Sequence, residues 1–189
     1  MKRQFAVAFA AKSGILPPQL PIKVDSNIKK SMSLLRTYQR PISLGDAAKR
    51  DVRTQFAALP YRIVQDKVQV MLITSRGTKR WIVPKGWPMD GMTPAQSAAE
   101  EAFEEAGVRG KPYDMCIGVY SYNKYMEGAP DLPCLAMVFP LKVKRVFSDY
   151  PEKSERRRKW LPLKRAAEKI AEPELRAILK GFDPRRLKL

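Results

Sequence analysis

Stretches of apolar residues with the periods of strands and helices fill the C-terminal two thirds of the chain. Residues 56–64 predict a first strand, with Leu59-Pro60 near an edge or a bend. Residues 68–74 are rich in Val, Leu and Ile and predict a buried strand. The polar residues 65–66 between them are typical of a hairpin turn. Two later stretches, residues 115–125 and 135–146, predict two more strands that are joined by a turn-rich loop.

The end of the chain predicts one short strand and two helices. The strand covers residues 158–161, and the helices cover residues 163–170 and 173–179, with Gly181 as the stop of the second helix. We expect Trp160 to pack under these helices. Strands, a central helix, strands and two helices in this order predict an α/β sandwich with a mixed sheet.

The central helix has clear start and stop signals. Thr93 is a good N-cap, Pro94 suits the first helical position, and Gln96 completes a capping box. Gly107 stands where a left-handed C-cap belongs. Between these signals one apolar stripe recurs at helical spacing, formed by Ala95, Ala98, Ala99, Ala102 and Ala106.

Three carboxylates near the end of this helix are unfavourable for its stability. Glu101 precedes Glu104 and Glu105 by three and four residues, and like charges at these spacings cost about 0.2–0.5 kcal/mol per pair. The helix dipole also prefers cations in the last turn by about 0.3–1 kcal/mol. We expect the acids to lie roughly opposite the alanines, with their heads converging. They form either a solvated acidic face or the site of a bound cation.

The segment from Gly86 to Val108 resembles the Nudix box. Gly86 takes the first position of the motif, and the helix supplies its later positions in register: Glu101, Ala102, Glu104, Glu105, Gly107 and Val108. Residues 80–84, with the sequence Arg-Trp-Ile-Val-Pro, look like the short strand that leads into the box. The resemblance covers roughly residues 57–179 and implies a Nudix-type α/β/α sandwich.

Two positions depart from the family pattern. Met92 stands where the family has its first Glu, and Glu100 stands where it has an Arg. That Arg normally helps to hold the box carboxylates. Glu100 adds negative charge instead, so another base, such as Lys85 or a more distant Arg, would have to compensate.

The resemblance implies metal-assisted hydrolysis of a phosphoanhydride. Glu101 and Glu105 would hold Mg²⁺ or Mn²⁺, Glu104 would be a third or water-mediated ligand, and the backbone carbonyl of Lys85 could add another. The general base would be one of the box glutamates or a loop acid, for which the candidates are Glu127, Glu152 and Glu155.

One subgroup of the family looks most similar. The residues before the box, the sequence Glu-Glu-Ala-Gly-Val and a late basic run before Trp160 resemble the diphosphoinositol polyphosphate phosphohydrolases and their bacterial relatives, which also take dinucleoside polyphosphates. We expect four bases to bind the phosphates of such a substrate: Arg76, Arg80, Lys85 and Arg158.

Composition agrees with an anionic substrate. The chain of 189 residues carries a formal net charge of +17, which favours polyanionic partners. It contains no histidine, which excludes Ser-His-Asp and Cys-His triads and histidine-ligated zinc. Cys116 and Cys134 are expected to be reduced thiols of a cytoplasmic protein. No apolar run is long enough to span a membrane, so no membrane partner is expected.

The chain divides into two predicted parts. Residues 1–53 are expected to form a basic N-terminal arm, and residues 54–189 the hydrolase domain. A secretory signal is a poor match because the apolar stretch is short and lacks a convincing cleavage site. The composition of the arm also agrees with an organellar transit peptide.

Two other functions stay open on the sequence alone. A Nudix scaffold with weakened catalysis could bind RNA or another polyanion, in which case Met92 and Glu100 mark the loss of activity. An RNA 5′-end pyrophosphohydrolase would keep the chemistry and change the substrate. The sequence leaves the oligomeric state unknown.

Overall fold

A computed structural model describes residues 53–124 and 132–187. Apart from Arg53, the predicted arm lies outside these residues, so a boundary between residues 53 and 54 stays a prediction. In chain order the strands and helices are β1 (Thr54–Val64), β2 (Lys67–Thr74), β3 (Trp81–Ile82), β4 (Lys85–Gly86), α1 (Pro94–Ala106), β5 (Val108–Pro112), β6 (Gly118–Lys124), β7 (Leu132–Val146), β8 (Arg158–Pro162), α2 (Leu163–Lys169) and α3 (Pro173–Gly181).

The strands of the described residues form one mixed sheet. Its main path runs β3-β2-β1-β7-β5, while β4 pairs with β1, β6 with β7, and β8 with β2. The pairing between β1 and β7 is parallel, and the other pairings are antiparallel. The predicted mixed sheet is therefore confirmed. The short strand β4 lies beside β1 and brings Gly86 opposite Phe56.

Alternate residues of β1 face two separate apolar clusters. Ala57 and Leu59 belong to the cluster that includes residues of α2 and α3, whereas Phe56 and Ala58 belong to the cluster that includes the alanines of α1. A strand buried on both faces reads as a continuous apolar run, as this one does. The helices thus cover both faces of the sheet, and the predicted three-layer α/β/α sandwich is confirmed.

The predicted hairpin between the first two strands is also present. Gln65 and Asp66 have φ angles of 49° and 58°. Two adjacent residues with positive φ are typical of the type I′ turn, whose twist matches that of the flanking strands. No helix within the described ranges is long and apolar enough to cross a membrane.

Three details differ from the sequence-based expectations. Strand β5 was not predicted, because its sequence VRGKP contains Gly, Pro and two charges. Gly181 is the last residue of α3 and not its stop, since the cap is Phe182. Trp160 packs against the cluster on the α1 side, opposite Met71, and the guanidinium of Arg62 lies 4.3 Å from its ring centroid.

The error for Trp160 has a simple cause. Successive side chains of a strand point to opposite faces of the sheet, so neighbours in β8 cannot both lie under the C-terminal helices. Leu161 takes the place that was predicted for Trp160, because it belongs to the cluster of α2 and α3.

Gly107 gives a direct test of how α1 ends. Its φ is 62°, and a Cβ at this position would overlap Tyr150 and come within 2.6 Å of Arg158 Nη1. We expect Gly107→Ala to lower the free energy of unfolding by more than about 1 kcal/mol. Gly181→Ala is the matched control: nothing lies within 4 Å of its Cβ position, and a Gly-to-Ala change in a helix stabilises by roughly 0.5–1 kcal/mol. Urea denaturation measures both, and equal effects would contradict the assignment.

Candidate active site

The caps of α1 determine where its carboxylates lie. Thr93 Oγ1 accepts a hydrogen bond from the backbone N–H of Gln96 at 3.2 Å, and the Thr93 N–H donates to Gln96 Oε1 at 2.9 Å. At the other end, Gly107 adopts the left-handed conformation. The predicted capping box and C-cap are both confirmed. With both ends fixed, the helix presents Glu101 and Glu105 one turn apart.

Two of the three acids lie on the buried face of α1. Glu101 is 8% exposed and Glu105 is 5% exposed, while Glu104 is half-buried. Because successive helical residues are about 100° apart, Glu105 lies about 40° from Glu101, and Glu104 about 60° away on the other side. The expectation that these acids lie opposite the alanines is therefore wrong for Glu101 and Glu105, which share the buried face with them.

Glu101 is packed directly against β4. A Cβ at Gly86 would overlap the carboxyl group of Glu101. Only a residue without a side chain lets the strand and the helix approach this closely. The glycine at the first position of the box thus makes room for the first helix carboxylate.

Glu105 is held by two donors from outside its helix. The backbone N–H of Lys85 donates to Oε2 at 3.0 Å, and Nη2 of Arg156 donates to Oε1. Burial raises the pKa of the Glu105 carboxyl, and the charges of Lys85 and Arg156 oppose that rise. Burial likewise lowers the pKa of Lys85, whose ammonium lies 4.9 Å from the ring centroid of Tyr122.

Arg156 is the residue that the sequence analysis missed. Its side chain is 5% exposed, and it also donates to Glu152 Oε2 and to the backbone carbonyl of Thr74. The sequence showed only a run of four bases, residues 156–159. Arg156 precedes β8, so the alternation of that strand gives no signal for it, and no residue type in the run marks which base points inward.

Glu100 faces away from this buried group. Its two carboxylate oxygens accept hydrogen bonds from Arg109 at 3.1 and 3.0 Å, and the guanidinium of Arg109 lies 3.9 Å from the ring centroid of Phe103. The charge of Glu100 is thus offset by Arg109. Glu105 meets the two bases that the sequence suggested in different ways, because Arg156 contacts it through the guanidinium and Lys85 through the backbone N–H.

The predicted phosphate-binding bases lie in different surroundings. Arg76 is 60% exposed, and its Nη1 lies 3.6 Å from Glu152 Oε1 and 3.6 Å from Glu155 Oε2. Arg80 donates to Glu172 Oε1 at 3.1 Å and is 46% exposed. Both arginines have room to meet a ligand, and Arg76 is joined through Glu152 to the group around Arg156.

Arg158 is engaged elsewhere. Its Nη1 donates to the carbonyl of Ala106, its Nη2 donates to the carbonyl of Phe147 at 2.7 Å, and its guanidinium lies 4.6 Å from the ring centroid of Tyr150. A cation at the C-terminus of a helix interacts favourably with the helix dipole. Its contacts are those of a helix cap, and the predicted phosphate contact would have to compete with them.

The candidate general bases differ in position. Glu152 bonds to Arg156, and its backbone N–H donates to the carbonyl of Glu104 at 3.0 Å, so it adjoins the helix carboxylates. Glu155 is more exposed and lies beside Arg76. Glu127 lies outside the described residues.

The donor set fits a hard divalent cation. In the part of the chain that the structure describes, no three Asp, Glu or Cys side chains are close enough to hold a metal ion, so the three box acids do not converge. The reason is geometric, because Glu104 diverges from Glu105 by about 100° around the helix. Mg²⁺ is commonly held by one or two carboxylates plus substrate phosphates, and Glu101 and Glu105 can supply the carboxylates.

Comparisons of sequence place this chain among known hydrolases, although no family model matches it. Nudix hydrolase 16, mitochondrial, of Arabidopsis thaliana is 35% identical over 119 residues, covering 61% of this chain and 66% of that protein. Nudix hydrolase 13, mitochondrial, of the same plant is 30% identical over 141 residues, covering 66% of this chain and 70% of that protein. Diphosphoinositol polyphosphate phosphohydrolase 3-alpha of Mus musculus is 30% identical over 112 residues, covering 58% and 64%.

Solved structures support the fold. A NUDIX hydrolase from Nitrosomonas europaea superposes with a TM-score of 0.52 at 21% identity, covering 68% of this chain and 86% of that one. A MutT protein from Bacillus halodurans gives a TM-score of 0.50 at 18% identity, covering 68% and 80%. Since two of the plant relatives are named as mitochondrial, the cytoplasmic location stays a prediction. At 30% identity over 70% of one relative's length, with the box residues and the three-layer fold in place, the chain belongs to the Nudix hydrolase family and is a Nudix-type pyrophosphohydrolase.

Proposed function

We propose that this chain hydrolyses a phosphoanhydride bond in a strongly anionic small molecule with the help of Mg²⁺ or Mn²⁺. The observation that carries the proposal is the pair of buried carboxylates, Glu101 and Glu105, one turn apart on α1, with Glu101 packed against Gly86. Buried carboxylates that lie this close together on one helix face are costly to keep ionised, and such groups concentrate at functional sites. The pair is therefore a candidate for a cation site.

The helix residues would hold the cation. Glu101 and Glu105 are the proposed direct ligands, and the carbonyl of Lys85 would be a further ligand. The half-buried Glu104 would contact the cation through a water molecule. A divalent cation in this place offsets charge on the phosphate oxygens and orients water. The N–H of Lys85 keeps one oxygen of Glu105 fixed, so the carboxylate does not have to be ordered when a ligand arrives.

Glu152 is the proposed general base. It lies beside the buried group, is 21% exposed, and therefore has access to water as well as a fixed orientation. A base must reach the attacking water directly or through one intermediate. Glu155 is the second candidate, held further out beside Arg76.

The proposed substrate is a molecule with several phosphates. The net charge of +17 and the exposed guanidinium groups of Arg76 and Arg80 favour it, as does the half-buried side chain of Lys85. Relatives named as diphosphoinositol polyphosphate phosphohydrolases support diphosphoinositol polyphosphates, and dinucleoside polyphosphates remain the other class. Charge alone also agrees with RNA.

A substrate panel tests this function. We expect phosphate or nucleotide release from diadenosine polyphosphates or diphosphoinositol polyphosphates that needs added Mg²⁺ or Mn²⁺ and stops with a chelator. The panel should include triphosphorylated RNA and nucleoside diphosphate sugars. Release from the RNA alone would identify a 5′-end pyrophosphohydrolase. Salt-sensitive RNA binding without hydrolysis of any compound would refute the enzymatic proposal.

Replacing Glu105 by Gln tests the metal ligand. Glu105→Gln keeps the size of the side chain and removes its charge, so we expect a folded protein whose metal-dependent turnover falls roughly 100-fold or more, which corresponds to about 3 kcal/mol of lost transition-state stabilisation. Glu100→Gln is the matched control on the same helix, where the partner is the exposed Arg109, and it should retain activity. Steady-state kinetics measure turnover, and circular dichroism shows whether the variant is folded. Wild-type turnover in Glu105→Gln would contradict the assignment of Glu105 as a metal ligand.

Gly86→Ala tests the contact between β4 and Glu101. The added methyl group would overlap the Glu101 carboxyl, so either that side chain or the strand must move. We expect turnover to fall at least about tenfold, because misplacing a reacting group by roughly 1 Å can cost 100-fold in rate. Gly77→Ala is the control, since nothing lies within 4 Å of its Cβ position. Equal activity of the two variants would show that Glu101 is not part of the site.

A further inference from the structure

Helix α1 buries two carboxylates and contains no base of its own. Its sequence PAQSAAEEAFEEA has neither Lys nor Arg, and its last turn carries no basic residue. Glu100 uses the nearby Arg109 in an exposed pair. The positive side-chain charge bonded to Glu105 therefore comes from a distant segment, through Arg156.

The guanidinium of Arg156 joins three elements of the fold. It donates to Glu105 on α1, to Glu152 in the segment before β8, and to the carbonyl of Thr74 at the end of β2, the last at 3.1 Å. A planar guanidinium offers donors in a fixed fork, and a lysine ammonium cannot reproduce three such directions. The contact set therefore holds Glu105 and Glu152 in one orientation relative to each other.

The backbone next to Arg156 is itself fixed. The N–H of Arg157 donates to Thr74 Oγ1 at 2.9 Å, and the N–H of Thr74 donates to the carbonyl of Arg157 at 2.9 Å. Directly afterwards Arg158 pairs with Ile73 in the sheet. The side chain of Arg156 thus extends from the rigid junction of β2 and β8 and not from a free loop.

The contacts continue outward as an alternating row of charges. Glu105 bonds to Arg156, Arg156 bonds to Glu152, and Glu152 Oε1 lies 3.6 Å from Arg76 Nη1, which is 60% exposed. One end of the row is a buried carboxylate and the other is a base that can reach a ligand. Arg156 is the member that belongs to both halves.

We propose that Arg156 is a positioning residue of the hydrolytic site, which holds the proposed metal ligand Glu105 and the proposed base Glu152 in one arrangement. This inference rests on the proposed function. In other family members the box arginine helps to hold the box carboxylates. This chain has Glu100 at that position, and Arg156, in the segment before β8, would hold Glu105 in its place.

The test compares full-length Arg156→Lys and Arg156→Gln with the control Arg109→Gln, which breaks an exposed Arg–Glu pair of the same helix. Circular dichroism and thermal unfolding show whether each variant is folded. If Arg156→Gln does not fold, the comparison is made with Arg156→Lys. We expect kcat to fall roughly 10–100-fold in the Arg156 variants, the effect typical of residues that orient metal ligands, with KM changed less than about threefold. Arg109→Gln should keep both constants.

Binding of Mn²⁺ to the substrate-free protein, followed by electron paramagnetic resonance, gives a second measurement that needs no turnover. Positioning predicts weaker binding in Arg156→Gln, by roughly 10–100-fold. If Arg156 were only a competing positive charge, its removal would tighten Mn²⁺ binding, and that result would overturn the inference. A wild-type protein that binds Mn²⁺ but hydrolyses nothing would refute the proposed function, while the shift in Mn²⁺ affinity would still decide the role of Arg156.

The double variant Glu105→Gln/Arg156→Gln shows whether Arg156 acts through Glu105. Residues that act as a unit are not additive, so we expect the double variant to lose clearly less activity than the product of the two single losses. Any loss beyond that of Glu105→Gln comes from the contact of Arg156 with Glu152. Losses that multiply would mean that Arg156 acts independently of Glu105, and would overturn its assignment as a positioning residue.

Discussion

The ion pair between Glu105 and Arg156 is the interaction on which the arrangement of the site depends. Both side chains are almost fully buried, at 7% and 5% exposure. Removing one member of such a pair typically costs about 3–5 kcal/mol, because the other charge stays buried without compensation. Replacing both members by apolar residues is often neutral or stabilising. The pair therefore says little about selection for stability and more about selection for a functional role of the two charges.

The sheet makes this pair sterically possible. Alanines on α1 allow the helix to approach β1 and β4 closely, and Gly86 leaves space for the Glu101 carboxyl. Within the same sheet β8 pairs with β2, so Arg156, just before β8, extends from a fixed backbone. The alanines and Gly86 allow the backbones to approach closely, and the long side chain of Arg156 reaches the acids where they are buried. The spacing of the backbones therefore determines where the buried acids lie, while the loops contribute mainly exposed bases.

The sequence predicted local features well and side-chain directions less well. Thr93, Gln96 and Gly107 could be read because caps depend on neighbouring residues alone. The mixed sheet followed from the order of the predicted elements, and its three layers were implied by the family resemblance. Trp160 was placed on the wrong face, because the face of a short strand depends on its register with β2. Arg156 could not be singled out from its basic neighbours, because its partners are 51 and 82 residues away in sequence.

The two departures from the family motif have different weight in the structure. Glu100 points to Arg109, and the guanidinium that lies against Phe103 offsets its charge, so Glu100 does not add a charge to the buried group. Met92 precedes the N-cap and is half-buried, with its N–H donating to the carbonyl of Met89. The chain therefore lacks one carboxylate near the start of α1, which leaves the helix with two buried acids. A cation held by two carboxylates depends more on ligands from the substrate, and a substrate with many phosphates supplies them. The missing carboxylate and the large positive charge thus favour the same kind of molecule, one that brings both the anionic ligands for the cation and the partners for the exposed arginines.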